Sequence, residues 1–458
     1  MLSMSKKNPL IKKMKINDII NKIEKYLPVR NNEKNIFGEV FTPPVLINET
    51  LDNLPNKVWS NPDLKWLDPA SGIGNFFMIV YNRLMSGLDK QITNPDERSR
   101  HILQNMLYMV EINPRNVRVA YKIFGKSANI VCADFLSERG IKKWTSQFNN
   151  INKFDIIIGN LPFNEETNES NKKTVSLWPK FVYKSLDILH DKGYIAFIHP
   201  QNWRSPDNKL WKLLTSRQLL YIHIYSPEDS KKLFGNVVNT KVDLYILHNV
   251  PVHSTTTIID QLGHKYDLNL NKLPFLSNYN IKDFNNLISN TNTNTNNLEI
   301  LYSTLCSTTN SVEKKNDKYK YPVIKSITAD NKLQFRYTDD NTKCYINIPK
   351  VIINGGRYAY PYNDYGGKYG MTQNLFAIPI TSKKHGDEIV KAMNTDRFKS
   401  LLNSTKWTTF GIDYKMFKHF KSDFFKYFLR NKNSGISIKT VKNKNKVRKT
   451  HNTTKRKK

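Results

Sequence analysis

Short apolar runs recur through the first half of the chain, each only a few residues long, and longer stretches of mixed apolar and polar positions separate them. They are Lys65 to Leu67, Met106 to Glu111, Asn129 to Cys132, Asp155 to Ile158, Tyr194 to His199 and Val242 to Leu247. Runs that are apolar at consecutive positions mark strands buried on both faces, and the stretches between them are long enough for crossover helices. The rhythm predicts an α/β fold with a Rossmann-like, doubly wound sheet over residues 36–255. Upstream, Ile16, Ile19, Ile20, Ile23 and Leu27 recur at helical spacing among charged residues, which predicts an amphipathic helical segment within residues 1–35.

The second half has a different texture. Residues 285–297 read NNLISNTNTNTNN, a polar low-complexity stretch expected as a surface loop. Beyond it, aromatic-rich segments such as GGRYAYPYNDYGGKYG predict strands joined by glycine-bearing turns, hence a mixed α+β domain over 256–430. Residues 431–458 contain eleven Lys or Arg and no acid, the pattern of a disordered basic tail.

Composition narrows the partners. The chain has 458 residues, 39% of them apolar, enough for two or three cored domains, and its formal charge of +32 points to a polyanion. The tail carries eleven of those charges, so 21 remain on the rest of the chain. No apolar run approaches the ~20 residues of a membrane span, so no membrane partner is expected. Cys132, Cys306 and Cys344 are scattered, with no CxxC pair, which suggests neither a metal site nor a disulfide framework and predicts a reducing, intracellular compartment. The expected address is cytoplasmic or, through the basic tail, nuclear; the oligomeric state is left open.

The candidate chemistry begins at Trp66-Leu67-Asp68-Pro69-Ala70-Ser71-Gly72-Ile73-Gly74, which ends a strand and opens a helix. Gly72 and Gly74 allow a sharp turn against which a ligand can lie, with Asp68 and Ala70 in the same turn. The next strand ends in Glu111, a carboxylate suited to two ribose hydroxyls, and the one after it in Asp134 and Phe135. Asp134 suits an adenine amino group and Phe135 offers a ring face. Three consecutive strand ends of this kind lie where doubly wound folds bind their ligands.

In combination these segments resemble the gamma-class adenine-N6 DNA methyltransferases, the TaqI-like group. DPASGIG matches the family's DPAxGxG, VEINP its acidic segment, and GEVFTPPVLI its FTP segment; the likeness covers about residues 36–250. It implies S-adenosylmethionine as cofactor, duplex DNA as substrate and a C-terminal target-recognition domain, and it makes Thr42 and Pro43 cofactor contacts. Too few residues precede the FTP segment for a nuclease domain, so a solitary methyltransferase is expected.

In the same family the run FDIIIGNLPFN stands where an N-P-P-F/Y turn carries catalysis. An exocyclic adenine amine is a weak nucleophile because its lone pair is delocalised into the ring. The side-chain oxygen of Asn160 and the carbonyl of Leu161 are expected to accept its hydrogens, Pro162 to fix the turn, and Phe163 to stack on the flipped base. Phe234 resembles the later aromatic that supplies the second face. Leu161 departs from the usual first proline, and NLPF also resembles the NLPY of ribosomal RNA adenine dimethylases, while related NPPY turns occur in protein glutamine methyltransferases. An RNA adenine-N6 methyltransferase and a catalytically silent nucleic-acid-binding protein therefore remain alternatives. In the second domain Arg357 and Tyr358 are the candidate DNA contacts.

Overall fold

The computed structural model describes residues 9–12, 18, 42–165, 175–234, 241–289, 297–356, 358–407 and 411–430. The apolar positions of the N-terminal helical segment, Arg357, residues 290–296 of the polar stretch and the basic tail lie outside them.

Along the first part of the chain the strands are β1 (Trp66–Asp68), β2 (Leu107–Glu111), β3 (Asn129–Cys132), β4 (Phe154–Asn160), β5 (Asn164–Glu165), β6 (Val175–Ser176), β7 (Leu189–Pro200), β8 (Arg217–Ile224), β9 (Val242–Pro251), β10 (Thr256–Ile259) and β11 (Lys265–Leu268). The short pair β5 and β6 forms its own ribbon; among the described residues the other nine make one sheet in the order β11-β10-β8-β9-β7-β4-β1-β2-β3. From β3 to β7 the strands are parallel, whereas β9 runs antiparallel between β7 and β8. This is the expected Rossmann-like, doubly wound sheet. Every central strand expected from an apolar run is present.

Alternation sorts the central residues onto two cores. Ile156, Ile158, Ala196, Ile198, Leu244 and Ile246 face one, with side chains from α1 (Pro44–Asp52) and α2 (Asn75–Gly87). A short helix, α3 (Pro95–His101), follows, and α4 (Pro114–Phe124) adds Val119, Ile123 and Phe124 to the same core. Ile157, Ile195, Phe197, Tyr245 and Leu247 face the other, covered by α5 (Glu138–Gln147), α6 (Trp178–Asp187) and α7 (Lys209–Thr215). A final helix, α8 (Pro227–Phe234), follows β8. Full burial of each large side chain contributes about 1.5–3 kcal/mol, which is why the apolar runs dictate the sheet.

Three expectations are corrected. The sheet does not stop at residue 255: β10 pairs parallel with β8 and β11 pairs with β10, so it continues to Leu268. Here β10 alternates buried and half-buried positions and β11 exposed and half-buried ones, unlike the continuous apolar runs of the centre. The polar stretch from 285 begins inside a helix, α9 (Ile281–Leu287), and Leu287 and Ile288 are buried, two apolar residues being enough to anchor it. Cys306 and Cys344, 38 positions apart, form a disulfide with a Cα–Cα distance of 5.6 Å beside Val323 and Ile346. Sequence spacing carried no trace of that pairing because folding alone brings the two loops together.

The second domain is mixed α+β, as expected. Its strands are β12 (Tyr321–Ile327), β13 (Leu333–Thr338), β14 (Lys350–Asn354), β15 (Tyr362–Asp364), β16 (Gly370–Met371) and β17 (Leu375–Pro379), in two three-stranded sheets, β13-β12-β16 and β15-β14-β17. Helices α10 (Lys383–Met393), α11 (Asp396–Ser404) and α12 (Phe425–Leu429) complete it.

A buried guanidinium joins the two parts. Arg204 and Asp243 are both fully buried, with Nε–Oδ2 at 2.6 Å and Nη2–Oδ1 at 3.1 Å. Arg204 also donates to the carbonyls of Leu276 and Ser277 and to Gln201 Oε1 and Asn278 Oδ1, while Trp203 Nε1 donates to Asp243 Oδ2. Removing one partner of such a pair strands a buried charge, at about 3–5 kcal/mol. Asp243→Ala should therefore lose about that much stability in urea titration, whereas a loss below about 1 kcal/mol would show that the joint is not what holds the domains.

Candidate cofactor and catalytic site

Parallel pairing brings Asp68, Glu111 and Asn160 to one edge of the sheet as the last residues of β1, β2 and β4, and Asp134 follows β3 at the same edge. Backbone amides immediately engage the acids. Asp68 Oδ1 accepts from Ala70 N (3.1 Å), and Asp134 Oδ1 accepts from Leu136 N (2.9 Å). Glu111 accepts from Gly72 N at 2.8 Å through Oε2 and from Asn113 N at 2.7 Å through Oε1. Through both carboxylate oxygens Glu111 shapes the glycine loop.

The two glycines differ in purpose. Gly72 has φ +55°, and no atom lies within 4 Å of the place a Cβ would occupy, so the loop is open there to an approaching group. Gly74 has φ +92°, and a Cβ would meet the Phe124 ring at 2.4 Å. Gly74 thus lets α2 pack against α4, a structural demand that the motif alone does not reveal.

Around Glu111 lie side chains that motif reading passed over. The buried Ser71 Oγ and Asn113 Nδ2 have no hydrogen-bond partner among the described residues, and Ile112 is 48% exposed. Two orphaned polar atoms and an uncovered apolar side chain beside an open glycine turn fit a nucleoside with hydroxyls and a flat base. Their signals in the sequence were faint: a serine inside the turn, an Asn-Pro helix start, and one apolar residue after the acid. Thr42 is buried and Pro43 precedes α1, its carbonyl accepting from Leu46 N and Ile47 N. Phe135 is 2% exposed and stacks on Trp144 and Phe181. The free ring face expected of Phe135 is therefore taken up by core packing.

Asn160 ends β4 opposite Ile198 of β7. Its Oδ1 is buried and has no partner among the described residues. Leaving a buried acceptor unpaired costs about 1–3 kcal/mol, so among the described residues this oxygen is an open hydrogen-bonding direction at the end of β4. Leu161 explains its own departure from proline: its N–H donates to Ile198 O (3.1 Å), a bond that proline could not make, and its side chain is 2% exposed in the core. Pro162 and Phe163 follow, half-buried. Phe163 packs against the same apolar cluster that contains Phe234, itself 6% exposed at the end of α8. The structure thus brings the two expected stacking rings to one side of the sheet.

Tyr358 lies elsewhere. Its hydroxyl donates to Met393 O (2.8 Å), with Asn394 Oδ1 at 2.9 Å, and burial pushes it up to about 12. The expected DNA contact gives way to a packing role within the second domain. The surrounding segment is organised by buried Lys350, whose Nζ donates to Asp364 Oδ2 (3.0 Å), Ile348 O (3.0 Å) and Tyr369 O (2.6 Å). Other lysines stand over tyrosine rings, Lys368 over Tyr369, Lys383 over Tyr365 and Lys320 over Tyr321.

The family model described as Eco57I restriction-modification methylase matches residues 93–234. A curated protein of Mycoplasma pneumoniae described as an uncharacterized adenine-specific methylase is 27% identical, over 43% of this chain and 63% of its own length. The chain therefore spans less than two thirds of that relative. Among solved structures, the Type IIL restriction-modification enzyme MmeI in complex with DNA is similar at 11% identity and a TM-score of 0.48, covering 80% of this chain and 65% of that one. A modification subunit of a type I restriction enzyme from Vibrio vulnificus is similar at 15% identity and a TM-score of 0.37, covering 53% and 50%. No helix among the described residues is long and apolar enough to cross a membrane.

Burial pushes the Asp68 carboxyl up to about 8, against the Ala70 N–H and reinforced by the charge of Glu111. An acid raised in the folded state contributes most at low pH, and its contribution falls as pH climbs from the ordinary carboxylate value toward 8, by up to about 1.4 kcal/mol per pH unit. Asp68→Asn keeps the acceptor for Ala70 and removes the ionisation. In urea unfolding of the ligand-free protein the substituted chain should gain on the wild type steadily between about pH 4 and 8. A difference that stays flat across that range would show that Asp68 is ionised throughout.

Proposed function

We propose that this chain is an adenine-N6 methyltransferase of the gamma, TaqI-like class, which moves a methyl group from S-adenosylmethionine to an adenine flipped out of duplex DNA. The observation that carries the reading is the buried, unpartnered Oδ1 of Asn160 at the end of β4. It stands next to a turn whose half-buried phenylalanine shares a cluster with Phe234. The match to a restriction-modification methylase model over 93–234 and the adenine-specific relative support the same chemistry.

The cofactor, when bound, supplies an electrophilic methyl group on a positively charged sulfur. The chain does the rest. Gly72 leaves room for the ligand, Glu111 accepts from ribose hydroxyls, and Ser71 and Asn113 offer their unpartnered atoms around it. Ile112 covers an apolar face, while Thr42 and Pro43 lie over the methionine part. Asn160 Oδ1 and the Leu161 carbonyl accept the two amino hydrogens, drawing the nitrogen toward a pyramidal form whose lone pair is available for attack. Phe163 and Phe234 hold the base, repaying part of the few kcal/mol needed to flip it. The second domain, with lysines over tyrosine rings and a chain charge of +32, is the part that grips the polyanion. A nuclear address for the basic tail has no support from the bacterial relative, and the tail is read as a further DNA-binding segment.

The test is methyl incorporation from labelled cofactor into duplex DNA, RNA and protein in parallel, with label expected in the duplex. Label in RNA alone would move the reading to the RNA enzyme. Asn160→Ala should reduce turnover by about 100- to 1,000-fold with DNA affinity nearly unchanged, since its contact is strongest in the transition state. Phe163→Ala should impair capture and turnover together, and Phe163→Tyr should retain much of both. Full activity in Asn160→Ala would sink the assignment. Glu111→Ala should weaken cofactor binding in calorimetric titration while leaving DNA binding in place.

A further inference from the structure

Polar side chains gather a second time on the face of the sheet that carries Asn160. Asn160 stands opposite Ile198, Ile198 opposite Leu244 and Leu244 opposite His223, so one row crosses β4, β7, β9 and β8. At its far end Glu49, from α1, meets β8. Glu49 Oε1 accepts from the Tyr221 hydroxyl (3.0 Å) and lies 2.5 Å from His223 Nδ1, and Oε2 accepts from the Tyr225 hydroxyl. The His223 ring stacks on Tyr225 with centroids 4.0 Å apart. Burial pushes the Glu49 carboxyl up, but the bonds from His223 and Tyr225 outweigh it and hold it below its ordinary value, so it stays ionised.

These contacts fix α1, the helix that directly follows Thr42 and Pro43, the residues that the reading above assigns to the cofactor. From the other side, Arg83 of α2 reaches Asn48 Oδ1 (2.8 Å) and Asp52 (2.7 Å), so α1 is bracketed between two neighbours. Hydrogen bonds from Leu46 N and Ile47 N to the Pro43 carbonyl make Thr42 and Pro43 move with the helix. The Glu49 and His223 side chains are 30% and 23% exposed, at a margin where apolar packing orients weakly. A carboxylate with directional donors fixes an angle there that apolar contact does not.

We propose that Glu49 is a positioning residue: by fastening α1 to β8 it sets the place of Thr42 and Pro43 against the glycine loop, and so the strength of cofactor binding. This rests on the methyl-transfer reading above. The test uses the full chain and two measurements, hydrogen exchange of residues 44–52 without ligand and calorimetric titration with S-adenosylmethionine. In Glu49→Ala the α1 amides should exchange about tenfold faster and the cofactor Kd should weaken about tenfold, the size expected for losing one charge-assisted anchor. Glu49→Gln, which can still accept from the tyrosines, should lose less of both. Should Glu49→Ala fail to fold, Tyr225→Phe removes one donor, keeps the ring and should shift both readouts in the same direction. Faster exchange with unchanged cofactor affinity overturns the coupling, and unchanged exchange overturns the anchor. A wild type that itself binds no S-adenosylmethionine overturns the parent reading and the positioning role with it, an outcome recognisable because it needs no substitution.

Discussion

The arrangement of this protein depends on one charge kept out of water. Arg204 has no exposed surface, and each nitrogen of its guanidinium has an acceptor. Desolvating a guanidinium costs several kcal/mol, and only a complete set of partners offsets that. The partners come from different places: Asp243 from β9, Gln201 from the turn after β7, and Leu276, Ser277 and Asn278 from the start of the second domain. Around them Trp407 Nε1 donates to Leu276 O and Asn278 N to Ser404 O. The guanidinium is satisfied only in one relative placement of sheet and second domain. Apolar contacts would tolerate many, so the charge brings specificity where burial brings only adhesion.

The same logic of partners governs the ligand edge. Parallel strands deliver polar side chains to one line, and the backbone then engages most of them: Ala70 N for Asp68, Gly72 N and Asn113 N for Glu111, Leu136 N for Asp134. Asn160 is the exception. Its oxygen is buried and unpaired among the described residues while the next residue, Leu161, is tied to Ile198. A turn tied at Leu161 with an acceptor beside it that no described residue satisfies is the arrangement that the proposed reading uses, since a dipole fixed in advance needs no reorganisation.

In the second domain several polar groups turn inward. Lys350 and Asp364 are buried together, and the Tyr358 hydroxyl is bonded to the chain around Met393. A tyrosine-rich segment with glycine turns suggests a recognition loop, yet Tyr358, Tyr362 and Tyr369 pack against the domain's cores, while Tyr360 and Tyr365 stay exposed. Exposed lysines stand over aromatic rings instead, where the charge remains accessible.

By itself the sequence determined the first half of the fold, because strands buried on both faces need consecutive apolar residues and each such run became a strand of the large sheet. It determined the order of the chemistry as well: DPASGIG, Glu111, Asp134 and GNLPFN fall at strand ends, and strand ends of a parallel sheet share an edge. Strands β8, β10 and β11, on one flank of the sheet, were not legible, since a partly exposed strand mixes polar residues into its pattern. Phe135 and Tyr358 looked like free rings, and only packing decided that Trp144 and Phe181 occupy the first and the second domain's interior the second. The pairing of Cys306 with Cys344, the bracket of Glu49 on β8 and the closure of Arg204 on residues 276–278 join positions far apart in the chain. Such contacts leave no local periodicity, and they exist only once the backbone has folded and burial has made each polar atom find a partner.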